Sequence, residues 1–96
     1  MTNAFLYNRC MMKNKFNFSV LVYMKKKFAY SKREEQLEVL AHALGGKNVG
    51  GGTDLSTGKR DQQFYFKTKN DVDTFLDYPT VKEAILPEID IVSINE

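Results

Sequence analysis

The side chains that could do chemistry are few, and they lie far apart in the sequence. His42 is the only histidine and Cys10 the only cysteine among the 96 residues. His42 lies on the side of its predicted helix opposite the leucines, so we expect it to face water. Neither residue has a partner at the spacing of a metal site or of a nucleophile and its base. We therefore expect no catalytic residue, no metal and no cofactor.

An acidic group, Asp71, Asp73 and Asp77, has a spacing that suggests a metal site. The first two aspartates fall at the start of a predicted helix, where negative charge interacts favourably with the helix dipole. Helix stabilisation is therefore the preferred interpretation of this group.

The glycine run Gly50–Gly52 leads into a segment that invites comparison with phosphate-binding loops. Between Gly52 and Gly58 there is one residue too many for a P-loop, and Arg60 stands where that motif needs serine or threonine. The run could form an anion-binding nest. Glycine runs more often form a flexible or bulged edge strand, which is the structure we predict.

A strand leads directly into a helix between Lys59 and Leu76. Alternation over residues 60–68 predicts a half-buried strand with Phe64 and Phe66 on the core face. The helix that follows is predicted to have Asn70 as its cap, and its apolar residues recur at helical spacing: Val72, Phe75 and Leu76.

The first half of the chain predicts a central strand and a capped helix. Alternation over residues 16–24 indicates the strand. Ser31 and Glu34 form a capping box, in which the serine hydroxyl accepts from the Glu34 amide and Glu34 reaches back. The apolar stripe of this helix consists of Leu37, Leu40, Ala41 and Leu44. A glycine pair follows, and glycine favours the left-handed conformation that ends a helix.

Three further elements are predicted with weaker signals. Residues 47–55 form an edge strand, and a turn at Gly58 sets Asp54 opposite Arg60. Tyr78-Pro79 is predicted to break the preceding helix, and a second capping box at Thr80 is predicted to begin a short one. We expect Pro87 to end this short helix and residues 89–94 to form the last strand.

This order predicts an α+β domain of the ferredoxin-like βαββαβ type, with a four-stranded antiparallel sheet and helices on one face. Residues 16–96 form the single domain, and residues 1–15, which show no clear period, form an N-terminal extension. The sequence has no apolar run of membrane-spanning length. Its first ten residues lack the apolar stretch of a secretory signal, so we expect none. With one cysteine, we expect a reducing, cytoplasmic compartment.

Charge is distributed unevenly along the chain. Residues 1–33 carry eight basic residues and no acidic one, whereas residues 61–96 have a net charge of −5. Such asymmetry can mark a nucleic-acid surface or two solvated faces, and we prefer the second reading. The nucleic-acid alternative would use Lys25, Lys26, Lys27, Arg33 and Arg60.

The face of the sheet that the helices leave open is the most informative feature. If the helices cover the phenylalanine face, the opposite face exposes Leu21, Tyr23, Gln63, Tyr65, Val92 and Ile94. This surface is too apolar for water alone, so we expect it to bind a second copy of the chain or another protein. RNA stacked on sheet aromatics is a further possibility. We predict a non-enzymatic binding module of the size found among phage and plasmid accessory proteins.

Two families bear on this interpretation. The predicted strand order resembles that of RNA-recognition motifs, but their stacking positions are occupied here by Asp61 and Gln63. The segment of residues 71–81 resembles the stress-responsive dimeric α/β-barrel proteins, in which an acid-rich helix ends in a Leu-x-His-Pro-x-His segment. Tyr78 and Val81 replace both histidines. This resemblance implies a sheet-mediated dimer, and a small enzyme of that type is the second alternative, after nucleic-acid binding.

Overall fold

The structure is a computed structural model that describes residues 16–94. These residues form an α+β fold of four strands and three helices. The strands are β1 (Phe18–Met24), β2 (Lys47–Thr53), β3 (Arg60–Phe66) and β4 (Ile85–Ser93), and the helices are α1 (Lys32–Ala43), α2 (Lys69–Asp77) and α3 (Pro79–Ala84). A short 3-10 turn, Lys26–Phe28, joins β1 to α1. The predictions for residues 1–15, including Cys10, lie outside the described residues.

The four strands form one antiparallel sheet in the order β2-β3-β1-β4. The two aromatic strands β1 and β3 are central, as the sequence predicts. Val20 of β1 lies opposite Phe64 of β3 and Ile91 of β4. Residues opposite one another in an antiparallel sheet share a face, so this row belongs to the side on which Phe64 is buried. The arrangement is compatible with a ferredoxin-like fold.

The core lies between that face and the helices. Fully buried residues of all three helices belong to the same cluster as the inward residues of β1 and β3. At its centre the Phe75 ring of α2 lies 5.0 Å from the Phe64 ring and 5.1 Å from the Phe66 ring. Such tilted aromatic contacts add to the free energy of burial itself. The helices therefore cover one face of the sheet, as predicted.

The start of α1 differs in detail from the predicted capping box. The Ser31 hydroxyl accepts from the Arg33 amide at 3.1 Å, and the Glu34 carboxylate accepts from the Tyr30 amide at 2.7 Å. Each bond is thus displaced by one residue from the expected pattern. Leu37 and Ala41 are buried, and the helix gives way to Gly45 in the left-handed conformation (φ 82°), as its sequence predicts.

Three predictions for the second half were wrong. The cap of α2 is Thr68, whose hydroxyl accepts from the Asp71 amide at 3.1 Å, and not Asn70. Helix α3 begins at Pro79 without a side-chain cap, so Thr80 is not a capping residue. Pro87 does not end a helix: it lies within β4, where the register with β1 shifts. Proline is tolerated at such an irregularity of an edge strand.

The turn between β2 and β3 also differs from its predicted register. Thr53, and not Asp54, lies opposite Arg60. The Asp54 carboxylate accepts from the Ser56 amide at 2.9 Å within the turn, which Gly58 closes with a φ of 76°. Aspartate side chains readily accept hydrogen bonds from the backbone of their own turn, and Asp54 does so here. Arg60 instead forms an ion pair with Glu34.

Gly46 is the glycine that the packing of α1 on the sheet requires. A Cβ atom there would lie 2.5 Å from the Tyr65 carbonyl oxygen and 2.7 Å from the Phe66 ring. We predict that Gly46→Ala lowers the free energy of unfolding by about 3 kcal/mol, because neither backbone nor core ring can move away freely. Chemical denaturation measures this change.

The neighbouring Gly45 provides the matched control. It has a φ of 82°, but a Cβ atom there would meet nothing within 4 Å. Gly45→Ala should therefore lower the free energy of unfolding by only about 1 kcal/mol, because alanine disfavours the left-handed conformation but meets no neighbouring atom. Equal losses in the two variants would contradict the close approach at Gly46.

Candidate functional site

The open face of the sheet consists of three rows of side chains. The first row contains Lys47, Tyr65, Ser19 and Val92; the second contains Gly50, Gln63, Leu21 and Asp90; the third contains Gly52, Asp61 and Tyr23. The predicted binding residues Leu21, Tyr23, Gln63, Tyr65 and Val92 thus share one surface. Tyr23 and Tyr65 lie in the two outer rows, and Leu21 lies in the row between them.

Contacts within the chain partly cover this surface. Leu21, Tyr23 and Tyr65 are half-buried, whereas Val92 is 54% exposed. The Phe16 ring lies 6.0 Å from the Tyr65 ring. The Lys59 ammonium lies 5.2 Å from the centre of the Tyr23 ring. The rings are therefore flanked by neighbouring side chains, and no described helix lies over them.

Polar and charged groups are interspersed among these apolar residues. The Gln63 amide donates to the Ser19 hydroxyl at 2.8 Å. The Lys59 ammonium donates to the Glu88 carboxylate at 3.0 Å. Asp61 and Asp90 share the face with them, so its charge is mixed rather than basic. The open face is therefore a mixed surface of apolar, polar and charged side chains.

The predicted basic residues divide into two groups. Arg33 donates to the Glu83 carboxylate and to the Thr80 carbonyl, each at 3.1 Å, and its guanidinium lies over the Phe28 ring. Arg60 forms an ion pair with Glu34. Within residues 16–94, no carboxylate pairs with the remaining three: Lys25, Lys26 and Lys27.

A polar cluster at the start of α1 was not predicted from the sequence. The Glu34 carboxylate accepts four hydrogen bonds: from the Tyr30 amide at 2.7 Å, from two nitrogens of Arg60 at 3.1 Å each, and from the Gln62 amide at 3.0 Å. Gln62 in turn accepts from Asn48 at 2.9 Å. The sequence does contain one signal for this position. Gln62 lies two residues before Phe64 on the same strand, so its side chain lies on the same, covered face of the sheet.

Tyr30 closes this cluster on the outside. Its ring lies 4.4 Å from the Arg60 guanidinium carbon, and its hydroxyl forms a hydrogen bond with the Thr53 hydroxyl. Tyr30 is the one non-glycine residue of the described chain with a positive φ, 60°. The bond from its amide to Glu34 stabilises this uncommon conformation.

The electrostatics of Glu34 follow from these contacts. Burial raises the pKa of Glu34, but the hydrogen bonds from Arg60 and the Tyr30 amide, together with the guanidinium charge, bring it below its ordinary value of 4.5. The carboxylate remains ionised at neutral pH with its acceptor positions occupied. The cluster therefore joins the start of α1 to β3.

The other candidate residues have structural surroundings. His42 is exposed, as expected. Asp71 lies in the first turn of α2, Asp73 pairs with Lys69 at 3.4 Å, and Asp77 pairs with Lys82 at 3.0 Å. Among residues 16–94, no three histidine, cysteine or acidic side chains are grouped to hold a metal ion. No helix of this part of the chain is both long and apolar enough to cross a bilayer.

The segment that resembles dimeric α/β-barrel proteins forms the junction of α2 and α3. Tyr78 is half-buried and precedes the first turn of α3, and Val81 is fully buried in the core. Comparisons of the whole chain with protein-family models, curated proteins and solved structures found no significant match.

We predict that Glu34→Gln lowers the free energy of unfolding by about 2 kcal/mol at pH 7, because it removes the charge from a partly buried pair and leaves Arg60 without its counter-ion. The loss should shrink below pH 4.5. The pKa of Glu34 is lowered in the folded state, so its contribution is fully present above the unfolded value and disappears as the pH falls through the folded value. Denaturation curves at several pH values measure this.

Glu38→Gln provides the matched control, since Glu38 is exposed on the same helix. We expect this variant to change stability by less than about 0.5 kcal/mol at either pH. A Glu34→Gln variant with a pH dependence as flat as that of the control would contradict the proposed role of the carboxylate.

Proposed function

We propose that the chain is a ferredoxin-like, non-catalytic protein-binding domain and that the open face of its sheet is the interface. The observation that supports this proposal is the asymmetry of the sheet: the described helices lie on one face only, while Leu21, Tyr23 and Tyr65 lie on the other. Tyrosine is favoured at interfaces because it combines a large apolar ring with a polar tip.

The glycines of β2 support an interface at this face. Gly50 lies opposite Gln63 and Gly52 lies opposite Asp61, so at these positions β2 adds no side chain beside the central strands. The space beside Tyr65, in contrast, is occupied by Lys47. A partner's side chains could therefore approach over the middle and third rows of the face, next to Leu21 and Tyr23.

The simplest partner is a second copy of the chain. If sheets pack face to face, Tyr23→Glu combined with Tyr65→Glu should separate this face-to-face interface while the chain stays folded, because the charges would have to be buried without partners. We expect the dissociation constant to rise at least tenfold. Light scattering measures the mass, and circular dichroism confirms that the variant is folded.

Val39→Glu combined with Leu55→Glu is the matched control, since it adds the same two charges at residues that are 65% and 93% exposed, one on α1 and one in the turn between β2 and β3. It should leave the mass unchanged. A wild-type protein that is monomeric at high concentration would rule out the homodimer. A different partner protein would then be expected to co-purify with the wild type and not with the tyrosine double variant.

Nucleic-acid binding is the second candidate, and the observation that favours it is the lysine run after β1, which forms no ion pair with a carboxylate of residues 16–94. Lys26 and Lys27 are exposed there, and the Lys27 ammonium and the Arg33 guanidinium both lie near the Phe28 ring. Phosphate contacts by such lysines release counter-ions, so the affinity for RNA or DNA should fall steeply with salt.

For this candidate we predict that changing Lys25, Lys26 and Lys27 to glutamate abolishes binding in a mobility-shift assay at low salt. Lys82→Glu, on α3, is the control because it changes one exposed lysine outside this region and should retain the shift. No shift with wild-type protein and either nucleic acid at low salt would eliminate nucleic-acid binding.

A further inference from the structure

We propose that the free edge of β4 pairs with β4 of a second copy, so that two four-stranded sheets join into one of eight strands. This edge adjoins the open face at Val92. The inference nevertheless does not depend on the function proposed above, because the pairing uses backbone groups of β4. It starts from the exposed apolar residues. Three of the six large hydrophobic residues that are exposed in residues 16–94 lie at the end of this strand or directly after it: Ile91, Val92 and Ile94.

The backbone of β4 has the hydrogen-bonding groups that such pairing needs. The Ile94 amide donates to the Asn17 carbonyl at 2.9 Å, so it points toward β1. Backbone groups alternate in direction along an antiparallel strand. Those of Ile89, Ile91 and Ser93 therefore point away from β1, where no strand of the described chain lies beside them.

The two edges of the sheet differ in how well they can pair. On β2 the register shifts between Asn48 and Gly50, and Gly50 has a φ of 142°. A bulge with such a glycine disrupts the regular edge on which another strand could form. On β4 the irregular part, which contains Pro87, ends before Ile89, and the register with β1 is regular from there to Ser93. The regular edge with exposed apolar residues is therefore that of β4.

The sequence of this edge fits a copy of itself. If a two-fold axis passes beside Ile91, each Ile91 lies opposite its equivalent, and Asp90 lies opposite Val92 of the second copy. Ile89 then lies opposite Ser93, so all outward backbone groups of this stretch can bond. No carboxylate faces another carboxylate in this register, whereas an axis beside Asp90 would place two of them together. The occupant of the edge that we infer is therefore a second copy, paired around Ile91.

Cross-linking tests the proposed neighbours directly. In a Cys10→Ser background, Ile91→Cys places a thiol beside its equivalent, at about 5.5 Å between Cα atoms for a hydrogen-bonded pair. A short bifunctional maleimide should then yield covalent dimers. Val39→Cys in the same background is the control, since Val39 is more exposed than Ile91 but lies on α1. Cross-linking of the Ile91→Cys protein that is no faster than that of the control would overturn the inference.

Light scattering gives an independent measurement that needs no thiol. Ile91→Lys sets two ammonium groups opposite each other at the edge, so the dissociation constant should rise at least tenfold and the mass should fall by half. A mass unaffected by Ile91→Lys, or a wild type that stays monomeric at high concentration, overturns the pairing. The Tyr23→Glu and Tyr65→Glu double variant separates the two surfaces, because it should leave the Ile91→Cys cross-link intact even if it abolishes binding at the open face.

Discussion

The four hydrogen bonds to the Glu34 carboxylate are the interaction on which the position of α1 depends. They connect Tyr30, two residues before the helix, with the start of β3 and, through Gln62, with the edge strand β2. The group is partly withdrawn from water, so the loss of either charge would leave the other without compensation. With α1 held in this way, Leu37 and Ala41 reach the core, and one face of the sheet is closed to solvent.

The two faces of the sheet follow from parity on β3. Gln62, Phe64 and Phe66 alternate with Asp61, Gln63 and Tyr65, and the first set is buried under the helices. Gly46 sets the distance between helix and strand, since a side chain there would meet the Phe66 ring. The residues that remain for the open face include apolar, polar and charged side chains, and this mixture is the reason for proposing a protein rather than a nucleic acid as the partner.

Much of this architecture could be predicted from periodicity alone. The alternation in β1 and β3 identified the central strands, and the leucine stripe identified α1, because these signals extend over many residues. Details that depend on a choice between nearby groups were missed. Thr68 caps α2 in place of Asn70, and Asp54 bonds within its turn rather than to Arg60. The Glu34–Arg60 pair joins residues far apart in the chain, and no local pattern identifies the partner of a charge.

The two proposed surfaces meet at Val92. Its side chain belongs to the first row of the open face, and the strand that carries it forms the edge of the sheet. Pairing around Ile91 would place Asp90 of the second copy beside Val92 and would continue the open face across the seam. Leu21, one strand away from this seam, would then lie near the middle of a surface twice as wide. A partner that binds the open face could therefore contact both copies at once. Its affinity would then depend on the pairing of the two β4 strands, although the partner itself would not contact the outward backbone groups of β4.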